Sequence, residues 1–168
     1  MDTSASSPMG VAAYFGKEVL REVEERDFRN AIPALRGCCS DRAILRALHF
    51  FGENRRAILE AEALEKGDFT GFLSLYRQSA ASSANLLQNL YPCSRPQEQG
   101  ISLAIAVSRL ALGQDGAVRV HGGGFAGTIQ AFVPAEKTEE YVETMDSLFG
   151  SGSCYIIRIC PAGGIQLI

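Results

Sequence analysis

The segment RVHGGGFAGTIQAFV, residues 119–133, sets Gly122, Gly123, Gly124 and Gly127 between two runs that favour strands. Each glycine costs about 0.5–1 kcal/mol of backbone entropy relative to alanine, so a cluster implies a purpose. One purpose is local: positive φ at a bulged hairpin, for which one or two glycines suffice. The other is close approach of a ligand or of another backbone, with main-chain N–H groups turned toward anionic oxygens. The residues alone leave both open. Gly122, Gly124 and Gly127 also satisfy G-x-G-x-x-G, but a dinucleotide site needs a helix directly after the glycines, and TIQAFV reads as strand. A protein-kinase glycine loop does lie between strands, yet the lysine, His-Arg-Asp and Asp-Phe-Gly motifs that accompany it are missing from these 168 residues. No Walker-type lysine, metal-holding carboxylate pair or general base adjoins the loop. It therefore reads as one wall of a site whose other wall lies elsewhere. His121 could reach an anion or stand as a polar hairpin residue, and Phe125 is expected to anchor the loop in an apolar pocket.

The elements that must carry this loop follow from periodicity. Val11, Phe15, Val19 and Val23 recur every fourth residue and predict one amphipathic helix over about 11–28, broken afterwards at Pro33 and Gly37. Ser40 or Asp41 can cap a long helix carrying Ile44, Leu48, Phe51, Ile58 and Leu64 on or near one stripe and ending at Gly67. Asp68 caps the next, which is one helix or two joined at SAASSA, a small-residue stretch that another backbone could approach closely. After a turn at PCSRP, a further helix ends at Gly113. Beyond Asp115 the β-branched runs GAVRVH, TIQAFVP, CYIIRIC and GGIQLI, with a helix over about 136–149, predict the order ββαββ. The fold class is α+β: a small, mostly antiparallel C-terminal sheet backed by N-terminal helices.

Composition limits the partners. A chain of 168 residues with net charge -3 has one good core and no basic field for a nucleic-acid backbone. Five cysteines in no metal-cage spacing fit reduced thiols of a cytoplasmic protein, with Cys154 and Cys160 as small buried hydrophobes. The first ten residues look like a frayed leader, leaving 11–168 as the folded domain, and no run of 18 or more apolar residues suggests a membrane span. His49 reads as a hydrogen-bonded structural histidine, and Glu53, Asn54, Arg55 and Arg56 as a solvated, ion-paired helix face.

RALHFFGENRRAILEAEALEKGDFTGFLSL resembles the C-terminal half of bacterial galactokinases, with Arg46, Ala47, His49, Glu53, Asn54 and Arg56 at the matching positions. The glycine loop resembles the third signature of that family and of the wider sugar, homoserine, mevalonate and phosphomevalonate kinase superfamily, usually Gly-Gly-Gly-Phe-Gly-Gly. Here it is Gly122, Gly123, Gly124, Phe125, Ala126 and Gly127. Ala126 replaces a glycine, and Ala80 stands where many galactokinases carry histidine. The resemblance covers about residues 11–168 and implies a ferredoxin-like C-terminal lobe. It further implies that Gly122 to Gly127 lie beside a phosphate loop, with His121 as an accessory and no catalytic or metal-binding residue in this chain. ATP, magnesium and galactose would serve the intact enzyme. The family's sugar-binding segment, phosphate loop and catalytic aspartate have no counterpart in the 168 residues, so the chain alone is expected to be inactive and to bind no cofactor. Its partners would be a missing N-terminal lobe or a second copy meeting at the exposed half-site. A non-catalytic ligand-binding module and a purely structural interaction domain remain the alternatives.

Overall fold

The computed structural model describes residues 10–125 and 127–157; all but the last residue of the expected leader (1–10), Ala126 and residues 158–168 lie outside that description. Chain direction is set early by Gly16, whose φ of +66° turns the backbone out of the right-handed helical region. Helix α1 is consequently only Val11–Tyr14, a 3₁₀ turn follows at Leu20–Glu22, and α2 spans Glu25–Leu35. The single helix expected over 11–28 is thus corrected to two, with an extended link in which Val19 is 53% exposed rather than part of a stripe. Helix α2 also runs through Pro33, against the expected break there. Proline removes one amide bond near the end of the helix, where only two residues follow it.

Phe28 and Leu35 of α2 are fully buried in a cluster with Val11, Val23, Ile44, Ala47 and Phe51, where the Phe28 and Phe51 rings stack at 5.0 Å. Helix α3, Asp41–Glu65, begins at Ser40, whose Oγ accepts the Ala43 N–H at 3.2 Å as the sequence predicts. Its first half buries the expected apolar stripe. Its second half does not: Ile58 and Leu64 are 62% and 52% exposed, and the inward side carries Glu53, Arg56, Glu60 and Ala63 instead.

Those polar positions face α4, Phe69–Ser82, which is one helix capped by Asp68. Its small residues Ser79, Ala80 and Ser82 are buried where α3 passes close by, as the SAASSA reading anticipates. Helix α4 opens into a π-helical turn, Ser83–Leu87, and Gln88 ends it in the left-handed region at φ 57°. After the PCSRP turn, α5 (Gly100–Leu112) leads to Gly113 and the sheet.

Strands β1, Ala117–Val120, and β2, Ile129–Phe132, pair antiparallel in the register Ala117↔Phe132 to Val120↔Ile129. Alternation splits them between two layers. Ala117 and Phe132 pack on Phe72 and Tyr76 of α4, while Val118 and Val120 pack on Ile101 and Ile105 of α5. Helix α6, Thr138–Phe149, closes that second layer with Tyr141 and Met145 against Ala104 and Leu112. The molecule is α+β, with six α-helices and a two-stranded antiparallel sheet among the described residues.

The third strand expected over CYIIRIC is not formed by its described part. Cys154–Ile157 pair with no described strand, and Tyr155, Ile156 and Ile157 are 86%, 73% and 81% exposed. Propensity for strand has no effect without a neighbour to bond. Arg158–Cys160 and the expected fourth strand over GGIQLI lie outside the described residues.

Burial of this kind predicts a contrast. Phe28→Ala should cost about 3–5 kcal/mol in urea denaturation, as buried aromatic truncations do, whereas Leu110→Ala, at a residue 86% exposed, should stay within about 0.5 kcal/mol.

Candidate functional site

The glycine loop joins β1 to β2. His121 N–H donates to Thr128 O at 3.1 Å and closes its neck, and Gly124 N–H reaches His121 O at 3.4 Å. Gly122, Gly124, Phe125 and Gly127 all have positive φ, between 58° and 83°. Three of the four glycines are therefore explained by the turn itself. Gly124 has a second reason: a Cβ there would overlap the carbonyl oxygen of Asn89 and come within 2.7 Å of its Nδ2. Gly123 has neither reason. Its φ lies outside the left-handed region, nothing stands within 4 Å of where its Cβ would be, and its surface is exposed. Among the described residues, the N–H groups of Gly122 and Gly123 have no hydrogen-bond partner.

Asn89 holds the loop from beneath. Its carbonyl accepts the Phe125 N–H at 3.1 Å and its Nδ2 donates to Gly123 O at 3.3 Å, while Oδ1 is buried without a partner among the described residues. Phe125 itself is 47% exposed, so the expected apolar anchor is corrected: the main-chain bond to Asn89, not the ring, fixes the loop. His121 lies exposed at the neck. Ala126 falls outside the described residues. Two surface depressions elsewhere, one lined by Val11, Arg46 and Phe50 and one by Arg77, Arg109 and Gly116, do not include the loop.

A second polar constellation lies at the foot of β1. Arg119 Nη1 donates to Ser79 Oγ at 2.7 Å, and Ser79 Oγ donates to Glu53 Oε2 at 2.7 Å. The other Glu53 oxygen takes the Arg56 guanidinium through Nε at 2.8 Å and through Nη2. Arg119 also lies 4.6 Å over the ring of Tyr76, whose hydroxyl donates to Gln130 Oε1 at 2.9 Å. The expected solvated face is thus corrected for Glu53 and Arg56: both turn inward, Glu53 to Ser79 and Arg119 on neighbouring elements and Arg56 to Glu53 on its own helix. Asn54 and Arg55 do stay exposed, and Arg55 reaches Glu25 of α2 at 3.3 Å. His49 is the structural histidine expected, with Nδ1 at 2.9 Å from Ser82 Oγ; burial pushes its imidazole below the ordinary value, against the pull of Glu53.

Sequence reasoning missed Asn89, Ser79 and Arg119. Asn89 follows no motif, and the π-helical exit before it shows only in the structure. Arg119 sits inside a β-branched run that reads as core. Cys38, Cys39, Cys93 and Cys154 are free thiols, and burial pushes the Cys39 thiol up. No three His, Cys, Asp or Glu side chains gather as a metal cage among the described residues, and none of the described helices is long and apolar enough to cross a membrane.

A glycine loop between two paired strands, with two main-chain N–H groups unpartnered among the described residues, has the features that close approach of an anion or of another backbone would require. Comparison narrows this. The chain is 31% identical over 129 residues to the galactokinase of Mannheimia succiniciproducens, covering 77% of this chain and 31% of that protein. It is 31% identical over 128 residues to the galactokinases of Pasteurella multocida and Haemophilus influenzae, covering 76% of this chain and 31% of each. No protein-family model matches. The chain carries a galactokinase-related region and spans about a third of the length of these relatives.

The polar constellation makes a pH-dependent prediction. Burial raises the Glu60 carboxyl above its ordinary value, against the pull of Arg119, and its Oε1 has no partner among the described residues. The folded state therefore holds this proton more tightly than the unfolded chain. Its stabilising contribution is complete below the unfolded pKa and disappears as pH rises through the raised folded value. Glu60→Gln should raise the denaturation midpoint at pH 7 and give a smaller gain at pH 4. A loss of stability at pH 7 would show that the ionised carboxylate is used.

Proposed function

We propose that this chain is the C-terminal lobe of a cytoplasmic galactokinase-type phosphotransferase, in which Gly122–Gly127 form one wall of the phosphoryl pocket. The sugar site, phosphate loop and catalytic aspartate would come from a separate lobe. The reaction served is transfer of the terminal phosphoryl group of ATP to the C1 hydroxyl of galactose, giving galactose 1-phosphate and ADP.

One observation carries the reading: Gly123 is a glycine that the loop's own conformation and neighbours do not require. Its N–H, like that of Gly122 without a partner among the described residues, can donate to a phosphate oxygen that approaches the exposed loop. Such preorganised donors stabilise charge that develops on a transferring phosphoryl group. Positioning and charge stabilisation are most of what phosphoryl transfer asks of a protein. This lobe supplies donors only. Among the described residues no three His, Cys, Asp or Glu side chains gather as a metal cage, so no step is assigned to a metal held by this chain.

The second reading, a non-catalytic module that binds a ligand or a protein partner, is favoured by the 47% exposure of the Phe125 ring beside the loop.

The purified chain is expected to yield no galactose 1-phosphate above a no-protein control and to give no calorimetric signal with ATP. Product above that control would overturn the division of labour. ATP binding without product would move the assignment to the second reading. Light scattering should show concentration-dependent association through the surface around residues 121–128, and a monomer at high concentration would count against a self-complementary half-site.

A further inference from the structure

We propose that Asn89, which no motif marks, is the positioning residue of the glycine loop: it holds the backbone from the Gly123 carbonyl to the Phe125 amide, directly after the Gly122 and Gly123 amides. Its importance for catalysis rests on the phosphoryl-pocket reading; its action on the loop does not.

Asn89 engages the loop in three independent ways. Its carbonyl takes the Phe125 N–H at 3.1 Å, its side-chain amide donates to Gly123 O at 3.3 Å, and its main chain occupies the space that a Cβ on Gly124 would need. These contacts bracket the loop on consecutive residues, and the hydrogen bond to Gly123 O fixes the peptide plane that follows it. Phe125, a non-glycine residue at φ 58°, holds a conformation that bulky side chains rarely adopt. Such a residue persists only where its surroundings overdetermine it, and the Asn89 carbonyl is the described acceptor of its N–H.

The presentation of Asn89 is itself built. Helix α4 widens into the π-helical turn Ser83–Leu87, and Gln88 then reverses the chain in the left-handed region at φ 57°. Both features are uncommon, and π-turns cluster at functional sites. Together they deliver a residue 2% exposed to the underside of an exposed loop. Asn89 is also a poor choice for packing alone. Its Oδ1 is buried with no partner among the described residues, an expense that an apolar residue of similar size would avoid.

Amide hydrogen exchange on the full chain, without ligand, tests the clamp. Gly122→Ala and Gly124→Ala both place a side chain at positive φ, 59° and 78°, but only Gly124→Ala collides with Asn89. Exchange at the Phe125 amide should therefore rise about tenfold or more in Gly124→Ala relative to Gly122→Ala. Asn89→Ala, which removes one neutral hydrogen bond, should raise it about three- to tenfold over the wild type. The Phe51 amide in α3 should stay protected in all three. Equal exchange in the two alanine variants, or a parallel rise at Phe51 and Phe125, would overturn the proposal, because Asn89 would then act on the fold as a whole. Because no turnover is measured, this result is independent of whether the loop serves a phosphoryl pocket.

Discussion

The bridge from Glu53 through Ser79 to Arg119 is the constraint from which the rest of the structure hangs. It ties α3, α4 and β1 with two hydrogen bonds of 2.7 Å, and Arg56 neutralises the second Glu53 oxygen. Charged groups turned inward are costly unless paired and bonded, so these four side chains, the three charged ones partly exposed, favour the relative placement of the three elements that joins them. An apolar interface would tolerate sliding by part of a turn. This one does not, because Ser79 must both accept from Arg119 and donate to Glu53.

That placement fixes the sheet. Arg119 and its register partner Gln130 lie on the α4 side, joined through the Tyr76 ring and hydroxyl, and Arg77 binds the carbonyls of Gln114 and Gly116 where the chain enters β1. With β1 held along its length and β2 paired to it, the neck of the loop at His121 and Thr128 has a defined position above the end of α4. The π-turn and Gln88 then bring Asn89 up to meet it. The polar bridge and the Asn89 contacts thus act in series along α4, one at Ser79 and the other ten residues later.

Much of this was legible in the sequence where a local rule decides the outcome. Ser40 and Asp68 cap their helices, the PCSRP turn falls between α4 and α5, and the glycines lie between paired strands, because each depends on a few neighbouring residues. Reading failed where partners distant in sequence decide. The apolar residues Ile58 and Leu64 pointed to the wrong face of α3, since the inward side carries Glu53, which Ser79 and Arg119 receive, with Arg56 paired to it. Val11, Phe15, Val19 and Val23 had helical spacing, but Gly16 entered the left-handed region and broke it. Phe125 looked like an anchor by its chemistry, yet the loop is held by main-chain bonds that composition does not reveal. Asn89 was invisible for the same reason.

The glycine loop, finally, separates three causes that its composition runs together. Gly122 and Gly127 serve the turn, since each sits at positive φ with open space around it. Gly124 serves the turn and the approach of Asn89. Gly123 serves nothing within the described chain, yet it gives up the roughly 0.5–1 kcal/mol by which alanine would lower the entropy cost of ordering that position. Under the proposed phosphoryl-pocket reading that cost has an external return: the Gly122 and Gly123 N–H groups, without a partner among the described residues, would meet a phosphate oxygen, whereas an apolar partner surface would bury both donors unpaired.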